Sequence, residues 1–228
     1  MQKIQHVFFD LDHTLWDFEK NSALTFQEIL SASNITINID EFLQTYIPIN
    51  LKYWKKYRED KIVKKDLKYI RLKETFDQLD YFVDDITIHH LSEEYIVNLP
   101  NHNHLFEGTF EILEYLQNKY QLHIITNGFE EVQNKKMEKS GIRKFFNEVI
   151  TSEAVGLKKP NPKVFNYALN KVNTSASSSV MIGDNLEADI LGAIKCGIKA
   201  IHFNSENIKT IPKEINSINH LIEIKKYL

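Results

Sequence analysis

The sequence predicts an α/β chain: a Rossmann-like, doubly wound parallel sheet interrupted by an inserted all-helical segment. Three observations lead there. From about residue 108 onward, short apolar runs alternate with helix-period stretches, the order that builds a parallel sheet. Residues 17–97 instead read as helix almost throughout. All seven glycines fall at or after Gly108, where tight strand-to-helix turns call for a residue without a Cβ.

The first strand occupies residues 7–10, apolar enough to be covered on both faces. Helix 110–117 then precedes strand 122–126, and helix 130–139 precedes strand 148–151. Helix 163–171 leads to strand 180–182, helix 187–196 to strand 200–203, and residues 218–228 read as a closing helix. Within the insert, Phe18, Leu24, Phe26, Ile29 and Leu30 mark a helix that stops at Ser33-Asn34. Phe42, Tyr46 and Ile49 follow at spacings of four and three; Leu67, Ile70, Leu72, Phe76 and Leu79 form a third stripe, and residues 86–97 a fourth. The expected division is 1–16 with 98–228 for the sheet domain and 17–97 for a helical cap. Open parallel sheets bind ligands beyond the carboxyl ends of their strands. An insert leaving after the first strand is therefore expected to act as a lid. Ser175 to Ser179 reads as a solvated connection.

Composition narrows the possibilities. At 228 residues, 43% hydrophobic and 26% charged, the chain has ample material for a core and the balance of an ordinary soluble protein. A formal net charge of -3 argues against broad nucleic-acid binding. The aromatic-rich basic run at 52–68 is diluted by Glu59, Asp60 and Asp66 and reads as a solvated helix face. No apolar run approaches the roughly 20 residues of a membrane span, and the start, Met1-Gln2-Lys3-Ile4, leaves no room for a signal peptide. Cys196 is the only cysteine, so no intrachain disulfide forms and a reducing cytoplasm is the expected location. It reads as a small core residue. His89, His90, His102 and His104 lack the company of a zinc site.

The chemistry-bearing residues gather at expected strand ends. Asp10 and Asp12 close the first strand, in the run Phe9-Asp10-Leu11-Asp12-His13-Thr14. A lone buried carboxylate costs several kcal/mol to desolvate unless it is paired or metal-bound, and Mg2+ favours such hard oxygens; a strand-end turn would also carry Asp and Thr. Thr126-Asn127-Gly128 offers a hydroxyl and backbone N–H groups suited to an anionic oxygen, or a helix N-cap. In Leu157-Lys158-Lys159-Pro160, a lysine held extended before proline can present a fixed ammonium to phosphate, or a solvated loop charge. Gly183-Asp184 ends a strand and Asp189 follows five residues later, adding carboxylates to a cation or capping a helix. Singly, each of these has a bland explanation. Their joint order does not.

In these four motifs the chain resembles the haloacid dehalogenase superfamily of phosphotransferases, in the subfamily with a small helical cap. It is similar in particular to the pyrimidine 5'-nucleotidase branch. That closer likeness rests on ITNGFEEVQ, SEAVGLKKPNPKVFNYAL and GDNLEADILGA, and on cap residues 49–54 and 71–72. The resemblance implies a Mg2+-dependent phosphomonoester hydrolase acting on a small phosphate ester such as a nucleoside 5'-monophosphate, as a monomer or weak homodimer. In that pattern Asp10 is the nucleophile, forming an aspartyl phosphate, and Asp12 is the acid and base, kept protonated by neighbouring carboxylates against the opposing effect of Mg2+. Metal ligands would be Asp10, the Asp12 carbonyl and Asp184, with Asp189 acting through water or by fixing Lys159. Thr126, Asn127 and Lys159, rather than Lys158, would meet the phosphoryl oxygens. Trp54 and Phe129 are candidates to stack on a base, with Asn50 or Arg71 for polar recognition; Trp54 could equally pack the cap's own core. A sugar-phosphate phosphatase or phosphomutase, or a catalytically silent regulatory homologue, stays open. A dehalogenase is disfavoured, since it needs no leaving-group acid at Asp12.

Overall fold

Six parallel strands make the sheet. They are β1 (His6–Phe9), β2 (Gln121–Thr126), β3 (Glu148–Thr151), β4 (Ser179–Gly183), β5 (Lys199–Phe203) and β6 (Asn216–Ile218). In this computed structural model, which describes residues 3–205, 207 and 211–228, their order is β3-β2-β1-β4-β5-β6. Phe9 of β1 pairs with Ile124 on one side and Ile182 on the other, so β1 is central. The chain winds outward from it in both directions, and the residues just past Phe9 stand where the winding reverses, the usual ligand position of such sheets.

The helices are α1 (Phe18–Ala32), α2 (Ile39–Arg58), α3 (Lys64–Gln78), α4 (Asp85–Asn98), α5 (Thr109–Gln117), α6 (Glu130–Lys139), α7 (Ser152–Val155), α8 (Pro162–Lys171) and α9 (Gly192–Lys195). The chain divides into two compact units, one running from Glu19 to His102 and the other made of the segments up to Phe18 and from Asn103. In the sheet unit, Phe8, Ile125, Ile150, Met181, Val164, Phe165 and Ile190 form a continuous buried cluster between strands and helices. Each fully buried side chain of this kind contributes about 1.5–3 kcal/mol.

The helical unit is built around aromatic rings. Phe26 lies 4.5 Å from Tyr95 and 4.6 Å from Tyr46 between ring centres, and Phe42 packs on Phe76 at 5.5 Å. Asn38 and Asp84 start α2 and α4 by accepting the N–H groups of Glu41 and Thr87, the bond an N-cap supplies. Among the described residues, no helix is long and apolar enough to cross a membrane.

Two stretches differ from expectation. The closing segment, expected as a helix over 218–228, is the edge strand β6 followed by a 3₁₀ helix at Leu221–Lys226. Ile218 is drawn into the sheet by pairing with Phe203. The helix expected over 187–196 is wound as a π-helix over Leu186–Leu191 before α9 takes over. There Asn185 caps the segment and the Asp189 carboxylate turns back to accept the Asn185 N–H, widening the first turn at a functional position.

Candidate active site

Asp10 is the first residue beyond β1, and its N–H extends the ladder by bonding the Ile182 carbonyl at 2.9 Å. The chain then turns sharply: Leu11 O accepts from Leu15 and Trp16, and His13 sits in the left-handed region at φ 61°. This turn delivers Thr14 to β4. The Thr14 hydroxyl donates to Asp184 Oδ1 and accepts the Asp184 N–H, both at 3.1 Å. His202 of β5 holds the same loop through its Nε2, 2.7 Å from the Asp184 carbonyl.

Lys159 bridges Asp10 and Asp189. Its ammonium is buried 2.7 Å from Asp10 Oδ1, 2.6 Å from Asp189 Oδ1 and 2.6 Å from the Ile125 carbonyl. Asn127 fixes its backbone, accepting from Lys159 N at 2.8 Å and donating to Lys159 O at 3.0 Å. The Asn127 side chain thus holds the lysine's backbone in place. Gly183 is required by close approach: a Cβ there would lie 2.4 Å from Asp189 Oδ2.

The carboxylate oxygens of Asp10, Asp184 and Asp189 come within 4.8 Å of one another. Burial pushes Asp10 well above the usual carboxylate range; Lys159 opposes this, and Asp189 and Asp184 add to it. Burial likewise raises Asp184 to about 8, reinforced by Asp189 and opposed by Thr14 and Lys159. For Lys159 burial alone would lower the value, but Asp10 and Asp189 override it and hold the ammonium charged. Three acids compressed around one lysine, two of them reluctant to ionise, make a set of hard oxygen donors. A divalent cation fits it.

Asp12 has other company. Lys136 Nζ is 2.6 Å from its Oδ1 and Gln133 Nε2 is 2.9 Å from its Oδ2. Neighbouring carboxylates were expected there; the contacts are instead an ammonium and an amide from α6. The same Gln133 nitrogen donates to the Thr126 hydroxyl at 2.8 Å, which also accepts the Gly128 N–H at 3.1 Å. Neither Gln133 nor Lys136 was singled out from the sequence. The available signal was that both share a face of α6 with the buried Val132 and Met137, at the i, i+3, i+4 spacing of a core stripe.

The remaining candidates lie elsewhere. Phe129 is buried at the start of α6. In the helical unit, Asn50 and Arg71 are buried and bonded to each other at 2.9 Å, with the Arg71 guanidinium over Tyr95 and Tyr46. Trp54 is partly exposed and packs edge-on against Tyr57. Cys196 is also partly exposed, at the end of α9.

Residues 7–203 match the model of the haloacid dehalogenase-like hydrolases. The pyrimidine 5'-nucleotidase YjjG of Escherichia coli is 30% identical over 202 residues, 88% of this chain and 86% of that one. A glyceraldehyde 3-phosphate phosphatase of Methanothermobacter thermautotrophicus is 31% identical over 211 residues, 89% of this chain and 87% of its own length. Among solved structures, the magnesium-bound HAD-hydrolase YfnB of Bacillus subtilis superposes with a TM-score of 0.89 at 29% identity, covering 100% of this chain and 99% of that one. With the family model matching residues 7–203 and a 31% identical relative covered over most of its length, the chain belongs to the haloacid dehalogenase-like hydrolase family.

Proposed function

We propose that this chain is a Mg2+-dependent phosphomonoester hydrolase acting through an aspartyl phosphate, with nucleoside 5'-monophosphates, pyrimidines first, as its substrates. One observation carries the reading: Asp10, Asp184, Asp189 and Lys159 converge at the carboxyl ends of the central strands. Asp10 attacks phosphorus in line, dividing a very slow displacement into two easier ones. Asp12 gives a proton to the leaving alkoxide and then takes one from the attacking water. Thr126 and Lys159 complement the charge on the phosphoryl oxygens. Asp10, Asp184 and the Asp12 carbonyl would hold Mg2+, and Asp189 would act through water or through Lys159. When bound, the ion screens the carboxylates from a dianionic phosphate and neutralises developing charge.

The charge balance supports a divalent ion. Among the described residues, Asp10, Asp12, Asp184 and Asp189 are met by the ammonium groups of Lys136 and Lys159, four acids to two cations. The substrate class rests on the relatives' names, among them a second pyrimidine 5'-nucleotidase, PynA of Streptococcus pneumoniae. The sugar-phosphate reading is favoured by the glyceraldehyde 3-phosphate phosphatases. In the nucleotide reading Trp54 is the insert residue that stacks on the base, while Asn50 and Arg71 shape the insert from within.

A phosphate-release screen with Mg2+ across nucleoside monophosphates, sugar phosphates and small acid phosphates tests both levels. Pyrimidine monophosphates are expected at the top. A profile led by triose phosphates would replace the nucleotidase reading, and no release from any ester would remove the phosphatase reading.

A further inference from the structure

On the reading of Asp12 as acid and base, we propose that Gln133 and Lys136 are positioning residues, a clasp on α6 that fixes the Asp12 carboxylate and the Thr126 hydroxyl together. The two side chains stand three residues apart on one face of α6, and only 1% and 2% of their surface is exposed. Between them they engage both carboxylate oxygens of Asp12, Lys136 at Oδ1 and Gln133 at Oδ2. A carboxylate held at both oxygens cannot swing about its last torsion without breaking a charge-assisted bond.

The amide's orientation follows from its partners. The atom facing Asp12 Oδ2 is Gln133 Nε2, the end of the amide that can donate twice. That group also bonds Thr126. A hydroxyl has two acceptor positions and one proton, and Thr126 Oγ1 already accepts from Gln133 Nε2 and from Gly128 N. Its proton is thereby left as its single remaining bonding capacity, and Thr126 can only donate. That is the polarity an anionic phosphoryl oxygen requires.

Further contacts show that the clasp is built in. Lys136 Nζ sits 4.1 Å from the centre of the Trp16 ring and 5.1 Å from that of Phe18, an aromatic cradle that offsets the desolvation of a buried ammonium. Gly128 leaves room for the amide, since a Cβ there would stand 2.4 Å from Gln133 Nε2. Trp16 and Phe18 follow Asp12 within the same short segment, so the turn that carries the acid also carries the walls of its clasp.

The test uses the Mg2+-loaded enzyme with an alkyl phosphate (a nucleoside monophosphate) and an aryl phosphate with a good leaving group. Lys136→Met and Gln133→Met are expected to lower kcat on the alkyl ester about 10–100-fold, the scale of a misplaced catalytic group, and on the aryl ester several-fold less. In an Asp12→Asn background neither change should lower kcat further, because both act through that carboxylate. Lys136→Arg, which keeps the charge, should recover part of the loss. If either Met variant unfolds, Lys136→Arg and Gln133→Asn carry the same leaving-group comparison. Equal losses on both esters, or full additivity with Asp12→Asn, with an active wild type, overturn the clasp alone. A wild type that hydrolyses neither ester overturns the phosphatase reading and the clasp with it.

Discussion

Raising the pH of the metal-free protein from about 7 to about 9 tests the crowded carboxylates, because ordinary acids and histidines titrate below that window, and a Cys196→Ser background removes the one thiol that burial also raises. Asp184 is held at about 8 by burial, with Asp189 adding to it, and Asp10 is pushed in the same direction. Their ordinary value is 3.8. Between those limits the unfolded chain has released protons that the folded chain keeps. The folded state therefore binds more protons, and stability falls as the pH rises. Each pH unit of this mismatch is worth about 1.4 kcal/mol, so crossing from about 7 to the Asp184 value removes about 1 kcal/mol after discounting for its partial exposure. For a chain of this length that lowers Tm by about 2–4 °C.

Starting near pH 7 matters because the buried His123 is depressed to about 4 by burial and by His6. That shift strengthens the fold as the pH rises from about 4 to the ordinary histidine value, opposing the acid trend. Mg2+ changes the slope. Ligands must lose protons to bind metal, so the stabilisation from a fixed Mg2+ concentration should grow across the same window. Thermal melts in EDTA and in Mg2+ at several pH values measure both, and Asp184→Asn should flatten the EDTA slope. A metal-free Tm that is level or rising from about 7 to 9, with a Mg2+ increment independent of pH, would refute the reasoning.

Asp12→Ala should slow an alkyl ester about 10²–10⁴-fold and an aryl ester much less; equal losses in steady-state kinetics would remove its acid role. Lys159→Met leaves buried acids without their partner and should cost about 3 kcal/mol in metal-free urea unfolding, partly restored by Mg2+; an unchanged midpoint would contradict the pairing. Gly183→Ala drives a Cβ against Asp189 and should destabilise by about 1–3 kcal/mol while weakening turnover, read by the same unfolding assay and by phosphate release.

The strand ends were legible because an apolar run that stops at Asp10, Thr126 or Gly183-Asp184 shows both where the sheet ends and what it presents. The helical insert was equally plain, its four stripes matching α1 to α4. What stayed hidden was polarity at buried positions. Periodicity locates apolar faces, so the burial of Gln133 and Lys136 on α6 carries no signal until their partners are seen, and Asn50 and Arg71, expected as polar recognition residues, are buried against each other in the insert. Choosing Lys159 over Lys158 needed the motif's likeness, since composition treats the two alike; in the fold Lys159 is buried among the acids and Lys158 is half-exposed. Strand β6 was missed because three residues with one apolar member carry no periodic signal. The π-helical turn was missed because its cause is the contact of Asp189 with Asn185.

A covalent phosphoryl group on the opening strand is the claim beneath all of this. Rapid acid quench during turnover of a phosphate ester, followed by mass spectrometry of the peptides, reads it directly. The added mass of one phosphoryl group on the peptide bearing Asp10, labile to hydroxylamine and lost in a folded Asp10→Asn variant, is the expected result. Brisk turnover with that peptide unmodified, or with the group on another residue, would contradict it.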